Sequence, residues 1–90
     1  MAMAALIIKV MPESPETDLS KIEVLARTKL TEKGALNISV ETQEIAFGLK
    51  ALFFKFAWPE AQDTGIAEQV LSDIPQTASI TIEDYRRAFG

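Results

Sequence analysis

The sequence predicts a single α+β domain in which two helices cover one face of a four-stranded antiparallel sheet. Six segments with strand or helix periodicity follow one another in the order β-α-β-β-α-β within 90 residues. Two strand–helix–strand crossovers, joined by one hairpin, form the split βαβ arrangement. Because such crossovers are right-handed, both helices fall on one face and the first and third strands become central. These two strands are also the most apolar in the chain, so composition and topology agree.

The first strand is predicted over Ala4–Met11, an apolar run that is interrupted only by Lys9 and ended by Pro12. Its length and its isoleucine and valine content indicate a strand that is covered on at least one face. The run is too short to span a membrane and has no basic segment before it. Neither a membrane-spanning helix nor a signal peptide is therefore expected.

The first helix is predicted to begin at Thr17 or Asp18, because either side chain can accept hydrogen bonds from the first turn. Its apolar positions recur at helical spacing and form one stripe, made of Leu19, Ile22, Ala26 and Leu30. Gly34 follows closely and is expected to end the helix.

The second strand is predicted over Leu36–Glu41, where apolar and polar residues alternate, the inward set being Leu36, Ile38 and Val40. The polar residues Thr42–Glu44 are predicted to form a turn, so that the next strand pairs antiparallel as a hairpin. The third strand is predicted over Ile45–Trp58, the most apolar stretch of the chain, and Pro59 ends it.

Gly48 lies inside this predicted third strand, where glycine is unfavourable. Two explanations for a glycine at this position remain open. The first is a bulge or the close approach of another backbone, and the second is packing beneath an aromatic neighbour. The same strand carries the aromatic cluster Phe53–Trp58, which is predicted to be core and edge. Any part of it that faces outward would form an interface or a self-association surface.

The second helix is predicted to open at Asp63–Gly65 and to end before Pro75, with an apolar stripe at Ile66, Ala67, Val70, Leu71 and Ile74. A last half-buried strand follows, rich in β-branched residues, with Ala78, Ile80 and Ile82 on its inward side. The complete pattern is that of the ferredoxin-like βαββαβ two-layer sandwich.

The chain contains neither cysteine nor histidine. Disulfides and thiolate metal sites are therefore excluded, and the commonest general base is missing. We expect no catalytic residue, no metal site, no cofactor and no enzymatic activity. The neighbouring acids Glu41 and Glu44, and likewise Glu83 and Asp84, are interpreted as solvated carboxylates at turns and strand ends.

The formal net charge of −4 argues against binding along a phosphate backbone, which needs clustered basic residues. Sheets that read RNA carry aromatic residues on both central strands. The predicted first strand has none, so no direct nucleic-acid partner is expected.

Three segments carry a resemblance to a known family. Val10–Leu19 resembles the opening strand-to-helix junction of the guanine-nucleotide exchange domain of archaeal elongation factor 1-beta. Ile45–Leu52 is similar to the most distinctive run of that family, and Asp84–Arg87 is similar to its C-terminal Asp-x-Arg-Arg motif. The three motifs occur in family order and span nearly the whole chain, which makes the resemblance specific. Glu44 departs from the family, which usually has proline there.

The resemblance implies a function and a set of partner-binding residues. Members of the family are ferredoxin-like domains that promote GDP release from elongation factor 1-alpha by protein–protein contact, without covalent chemistry. Phe47 matches the phenylalanine that docks on a second domain of this GTPase, Gly48 would allow close backbone contact there, and Lys50 belongs to the same run. Arg87, with Arg86 beside it, matches the basic residue that reaches the Mg²⁺ and phosphate side of the GTPase site.

The resemblance thus implies one exchange-factor domain over residues 1–90, acting in the cytoplasm during translation elongation. The alternative is a small-ligand-binding or self-association module with the same fold, because this fold hosts many unrelated functions. The sequence leaves the oligomeric state open.

Overall fold

A computed structural model describes residues 2–87. The elements follow the predicted order: β1 Met3–Pro12, α1 Leu19–Glu32, β2 Leu36–Ala46, β3 Leu49–Pro59, α2 Thr64–Ser72 and β4 Thr77–Arg87. The four strands form one antiparallel sheet in the order β2-β3-β1-β4. The predicted central position of β1 and β3 is confirmed, and the fold is the ferredoxin-like α+β sandwich. The predicted single domain over residues 1–90 extends beyond the described residues at both ends.

Every second side chain of β1 from Ala4, and of β3 from Leu52, is buried beneath the helices. In β1 four core residues are at most 1% exposed, namely Ala4, Leu6, Ile8 and Val10. The facing residues of β3 are Leu52, Phe54, Phe56 and Trp58, and both helices contribute to the same core through Ile22, Ala26, Leu30, Ala67 and Leu71. Because both helices share this core, they lie on one face of the sheet, as predicted, and the other face is open.

The aromatic cluster of the third strand is therefore mostly core. The Trp58 ring meets the Phe56 ring edge to face, with centroids 5.8 Å apart and planes at 74°. The Trp58 indole N–H donates to the Gln62 carbonyl oxygen at 3.2 Å, so its polar atom is satisfied. Phe53 points to the opposite face, where it is half-buried.

The helix ends are where the sequence predicts them. Asp18, not Thr17, is the residue whose side chain accepts hydrogen bonds from the backbone of the first turn of α1. Gly34 follows the last turn with a φ of 102°, a conformation that side-chain-bearing residues rarely adopt. Asp63 caps α2 in the same way, by accepting from the Gly65 backbone N–H at 2.9 Å.

The predicted turn at Thr42–Glu44 is wrong, although the predicted antiparallel hairpin is confirmed. β2 continues through these residues, with Glu44 opposite Lys50 on β3, and the chain reverses only at Phe47 and Gly48. Residues 42–44 are polar because they lie on an exposed edge strand. Their polarity reflects solvent contact, and polarity alone does not distinguish an exposed strand from a turn.

The predicted inward set of β2 is also partly wrong. Asn37 has a φ of 55°, and the pairing register shifts between Leu36 and Ser39. This bulge reverses the side-chain alternation. Ile38 and Val40 pack against the core as predicted, but Leu36 is 54% exposed. In β4, Ile80 and Ile82 likewise pack against the core, whereas Ala78 is exposed.

We predict that Phe54→Ala destabilises the protein by about 3–5 kcal/mol, because it leaves a cavity in the fully buried core. The matched variant Phe53→Ala, on the open face one residue away, should cost clearly less. Urea unfolding followed by Trp58 fluorescence measures both. Equal losses for the two variants would contradict the assignment of the two faces.

Candidate functional site

The outer half of the β2–β3 hairpin extends beyond the layer that the helices cover. All residues in 41–48 are exposed, whereas every second residue farther along β3 is buried. Ala46 pairs with Leu49, so the turn consists of two residues, Phe47 and Gly48. Both have positive φ values, 53° and 79°. This is the geometry of type I′ turns, whose twist matches that of the strands they join.

Phe47 stands out in the hairpin tip, which we define as Ile45–Lys50. Its side chain is 100% exposed, so it buries no apolar area on folding. Its positive φ costs a bulky residue roughly 1–2 kcal/mol, and central positions of this turn type favour Asn, Asp or Gly. A strained, fully exposed aromatic residue does not stabilise the domain. It is instead typical of a residue kept for contact with another molecule.

The left-handed conformation of a turn, which the sequence analysis did not consider, already favours glycine at position 48. Gly48 lies in the turn, not inside a strand, and no aromatic neighbour packs over it. A Cβ atom added there would meet nothing within 4 Å, but its φ of 79° would be strained with any side chain. The space above its backbone is open, so close approach of a partner stays a prediction.

Lys50 lies where two of the three family-like motifs meet. Its exposed side chain and Gly48 line one wall of a cleft of about 370 Å³. The opposite wall comes from the β1–α1 junction and the start of α1, through Pro12, Ser14, Pro15, Thr17, Asp18, Leu19 and Ser20. The motifs Val10–Leu19 and Ile45–Leu52 therefore meet at one end of the molecule. The sequence analysis did not include the residues of this junction among the candidate contacts. Their position in one of the three family-like motifs, Val10–Leu19, was the signal for them.

The two C-terminal arginines end β4 on opposite faces of the sheet. Arg86 pairs with Ala5 in register, and its Nε atom lies 2.9 Å from Asp84 Oδ2. Arg87 pairs with Ala4, whose side chain is in the core, and its Nε atom lies 3.9 Å from Glu60 Oε1. Their side chains remain 80% and 72% exposed, so both guanidinium groups are accessible to a partner.

The hairpin tip and the arginine pair lie at opposite ends of an elongated molecule, which measures 42 × 21 × 19 Å. Leu49 at the tip starts the strand whose far residue Ala57 pairs with Ala5, and Ala5 pairs with Arg86. Eight strand residues at 3.3 Å each separate the two ends by roughly 26 Å along the strand direction. The structure does not bring the predicted site residues together. It presents them as two separate surfaces.

The open face of the sheet carries a third, shallower feature. A groove of about 470 Å³ runs over Phe53 and Ile7, with side walls from Glu41, Lys55, Asp84 and others. Lys9 on the neighbouring strand adds a second positive charge to this face. The charges of both signs are close to balanced, so the face shows no preference for a basic or an acidic partner.

Within residues 2–87 no group of three or more potential metal-ligating side chains comes together. In the same range no helix is long and apolar enough to cross a membrane.

Comparison with known proteins connects these surfaces to a family. Residues 5–87 match the family model described as the EF-1 guanine nucleotide exchange domain. The chain belongs to this family. The match includes the hairpin tip and both arginines, so the two separate surfaces lie within the matched length of the exchange domain.

Curated relatives named elongation factor 1-beta agree with this assignment. The relative from Methanothermobacter thermautotrophicus is 37% identical over 81 residues, which cover 89% of this chain and 90% of that protein. The relative from Natronomonas pharaonis is 35% identical over 88 residues, covering 97% and 99%. The relative from Pyrobaculum neutrophilum is 33% identical over 88 residues, covering 96% and 95%. The resemblance stated from three motifs is thus confirmed over nearly the whole exchange domain.

We predict that Phe47→Asn stabilises the isolated protein by about 0.5–1 kcal/mol, because Asn tolerates the positive φ and no buried contact is lost. For a domain of this size the melting temperature should rise by roughly 3–6 °C. Thermal unfolding monitored by circular dichroism measures the change. A lower melting temperature would show that Phe47 makes stabilising contacts and is not kept for binding.

Proposed function

We propose that this protein is a guanine-nucleotide exchange factor that promotes GDP release from elongation factor 1-alpha in the cytoplasm. Membership of the exchange-domain family supports the class of activity, and relatives named elongation factor 1-beta support the partner. The observation that carries the proposal is Phe47, which is fully exposed on a strained turn and has no structural role. The proposed activity makes and breaks no covalent bond.

The hairpin tip acts as the docking element. An exposed aromatic ring that enters an apolar pocket on the partner gains the burial that it lacks in the free protein. The type I′ turn fixes the backbone that carries the ring, which reduces the entropy lost on binding. Open space above Gly48 lets the partner backbone approach the turn closely.

The arginine pair acts at the nucleotide. Arg87 carries a permanently charged guanidinium that can hydrogen-bond phosphate oxygens in a bidentate manner. Placed near the phosphates of a bound nucleotide, its charge would repel the Mg²⁺ ion that holds them and compete with that ion for the same oxygens. Loss of the Mg²⁺ ion would weaken nucleotide binding.

The separation of the two surfaces explains why both are needed. Docking by the hairpin tip on one domain of the GTPase makes contact of the arginine pair with the nucleotide site an intramolecular event, which raises its effective concentration. By thermodynamic linkage, a protein that binds the nucleotide-free GTPase more tightly must weaken nucleotide binding by the same factor. The surfaces lie roughly 26 Å apart along the strand direction, so a partner must contact them through two separate regions.

The direct test is release of a fluorescent GDP analogue from cognate elongation factor 1-alpha. We expect substoichiometric amounts of this protein to accelerate release, because the factor dissociates after each exchange event. Absence of any acceleration with the cognate GTPase would refute the proposed function. In the same assay, Phe47→Ala should raise the half-saturating concentration by about 30-fold or more, since loss of a hot-spot aromatic costs at least about 2 kcal/mol.

Val24→Ala is the matched control for Phe47→Ala. Val24 is also a large exposed apolar residue, but it lies on the outer surface of α1, away from both surfaces. Its replacement should leave the half-saturating concentration within about twofold, which is the usual size of surface effects. Equal effects of the two variants would remove the hairpin tip from the docking mechanism.

A different kinetic change is expected for Arg87→Ala. The maximal release rate should fall by about 10- to 100-fold, the value of losing a charge-assisted hydrogen bond of 1.5–3 kcal/mol. The half-saturating concentration should change much less, because docking by Phe47 persists. Titration of each variant at saturating and limiting concentration separates the two parameters. The control variant Lys29→Ala also removes one positive charge, from α1, and should leave the maximal rate unchanged. A normal maximal rate for Arg87→Ala would exclude Arg87 from nucleotide release.

A further inference from the structure

The contact between Arg87 and Glu60 has no role in the core or in either helix. Glu60 follows the end of β3, and its side chain is only 22% exposed, whereas the Arg87 side chain is 72% exposed. The Glu60 backbone N–H donates to the Ala2 carbonyl oxygen at 3.1 Å, which ties this residue to the chain preceding β1. β1 in turn pairs with the end of β4 through Ala4 and Arg87. The backbone of Glu60 is thus held by the paired strand ends, and its carboxylate lies beside a largely exposed guanidinium.

Arg86 and Arg87 are neighbours in the chain, but each lies beside a different carboxylate. Arg86 lies on the open face, where its Nε atom contacts Asp84 at 2.9 Å. Among the residues in 2–87, Glu60 is the acid that lies within 4.0 Å of a basic atom of Arg87. Each arginine therefore has its own carboxylate, and the two carboxylates stand on opposite faces of the sheet.

We propose that Glu60 is a positioning residue for Arg87: its carboxylate directs the guanidinium to the helix-covered side of the sheet end, the orientation in which Arg87 acts on the partner nucleotide. This inference rests on the proposed function. An exposed arginine side chain samples many rotamers, and a nearby opposite charge narrows that distribution. The distance of 3.9 Å leaves the pair without a hydrogen bond between these atoms, so the guanidinium donors stay available for phosphate oxygens.

The size of the effect follows from the exposure of the pair. A solvent-exposed ion pair contributes up to about 1 kcal/mol, equivalent to roughly a fivefold change in a rate or population. Glu60→Gln keeps the size of the side chain and removes its charge. It should lower the maximal GDP release rate by about two- to fivefold and leave the half-saturating concentration unchanged. Glu60→Asp keeps the charge and should restore part of the lost rate.

A double-mutant cycle separates positioning from a general effect on the fold. If Glu60 acts through Arg87, then Glu60→Gln causes no further loss in protein that already carries Arg87→Ala. An equal fractional loss in both backgrounds, or a higher rate for Glu60→Gln, would overturn the inference. If wild-type protein accelerates release and Arg87→Ala does not, but Glu60→Gln equals wild type, the inference fails while the proposed function stands.

A second measurement needs no GTPase. The heteronuclear NOE of the Arg87 Nε–Hε group in ¹⁵N-labelled full-length protein reports how ordered the guanidinium is on the picosecond-to-nanosecond timescale. Glu60→Gln should lower this NOE for Arg87 and leave that of Arg86 unchanged, because Asp84 holds the latter. Equal values for Arg87 in both proteins would overturn the positioning role, whatever the outcome of the exchange assay.

Discussion

The antiparallel pairing of β1 with β3 is the constraint on which the rest of the structure depends. Met3 through Val10 pair without interruption with Pro59 through Leu52. This register aligns the buried side chains of both strands on the same face, where they form the floor of the core beneath the two helices. A shift by one residue would place Trp58 and Phe54 in water. Burial of these large side chains therefore specifies the register strongly.

The same register determines where the two candidate surfaces lie. β3 continues beyond the last core position into the exposed hairpin, so the tip is carried to one end of the sheet. β4 pairs with the other side of β1 and ends at the opposite end. The separation of Phe47 from Arg87 is thus a consequence of strand direction. Because both surfaces stand on strands of one sheet, their distance is held by the core and not by flexible loops.

The two surfaces differ in how they trade stability for contact. At the hairpin tip the domain keeps a bulky residue in an unfavourable backbone conformation and gains no burial from it. At the arginine pair the backbone is a regular strand end, and the charged side chains find carboxylate neighbours that leave them largely exposed. In the proposed function, binding energy at the tip comes from burying the Phe47 ring, and binding energy at the arginines comes from charge. Under that proposal, burial of the ring provides affinity, and the arginine charge acts on a charged nucleotide site.

Much of the fold was predictable because its signals are local. The helix stripes that include Leu30 and Leu71, the capping Asp18 and the alternation of Ile80 and Ile82 depend on near neighbours in the chain. The wrong turn at Thr42–Glu44 and the wrong placement of Gly48 inside a strand have a common cause. Type I′ turns are expected at Asn-Gly or Asp-Gly, and a phenylalanine in that position hid the turn inside an apolar run. The bulge at Asn37 leaves no apolar signal, so the exposure of Leu36 was missed.

By itself the sequence determined the order of elements, the central strands and the family, since periodicity and motifs depend on residues that are close together in the chain. Its three motifs also identified Phe47, Gly48, Lys50, Arg86 and Arg87 as candidate contact residues. Only the tertiary structure decided that these residues form two surfaces at opposite ends, that the two arginines face opposite sides of the sheet, and that Glu60 lies beside Arg87. Such relations join residues far apart in the chain, and strand pairing across β1 creates them.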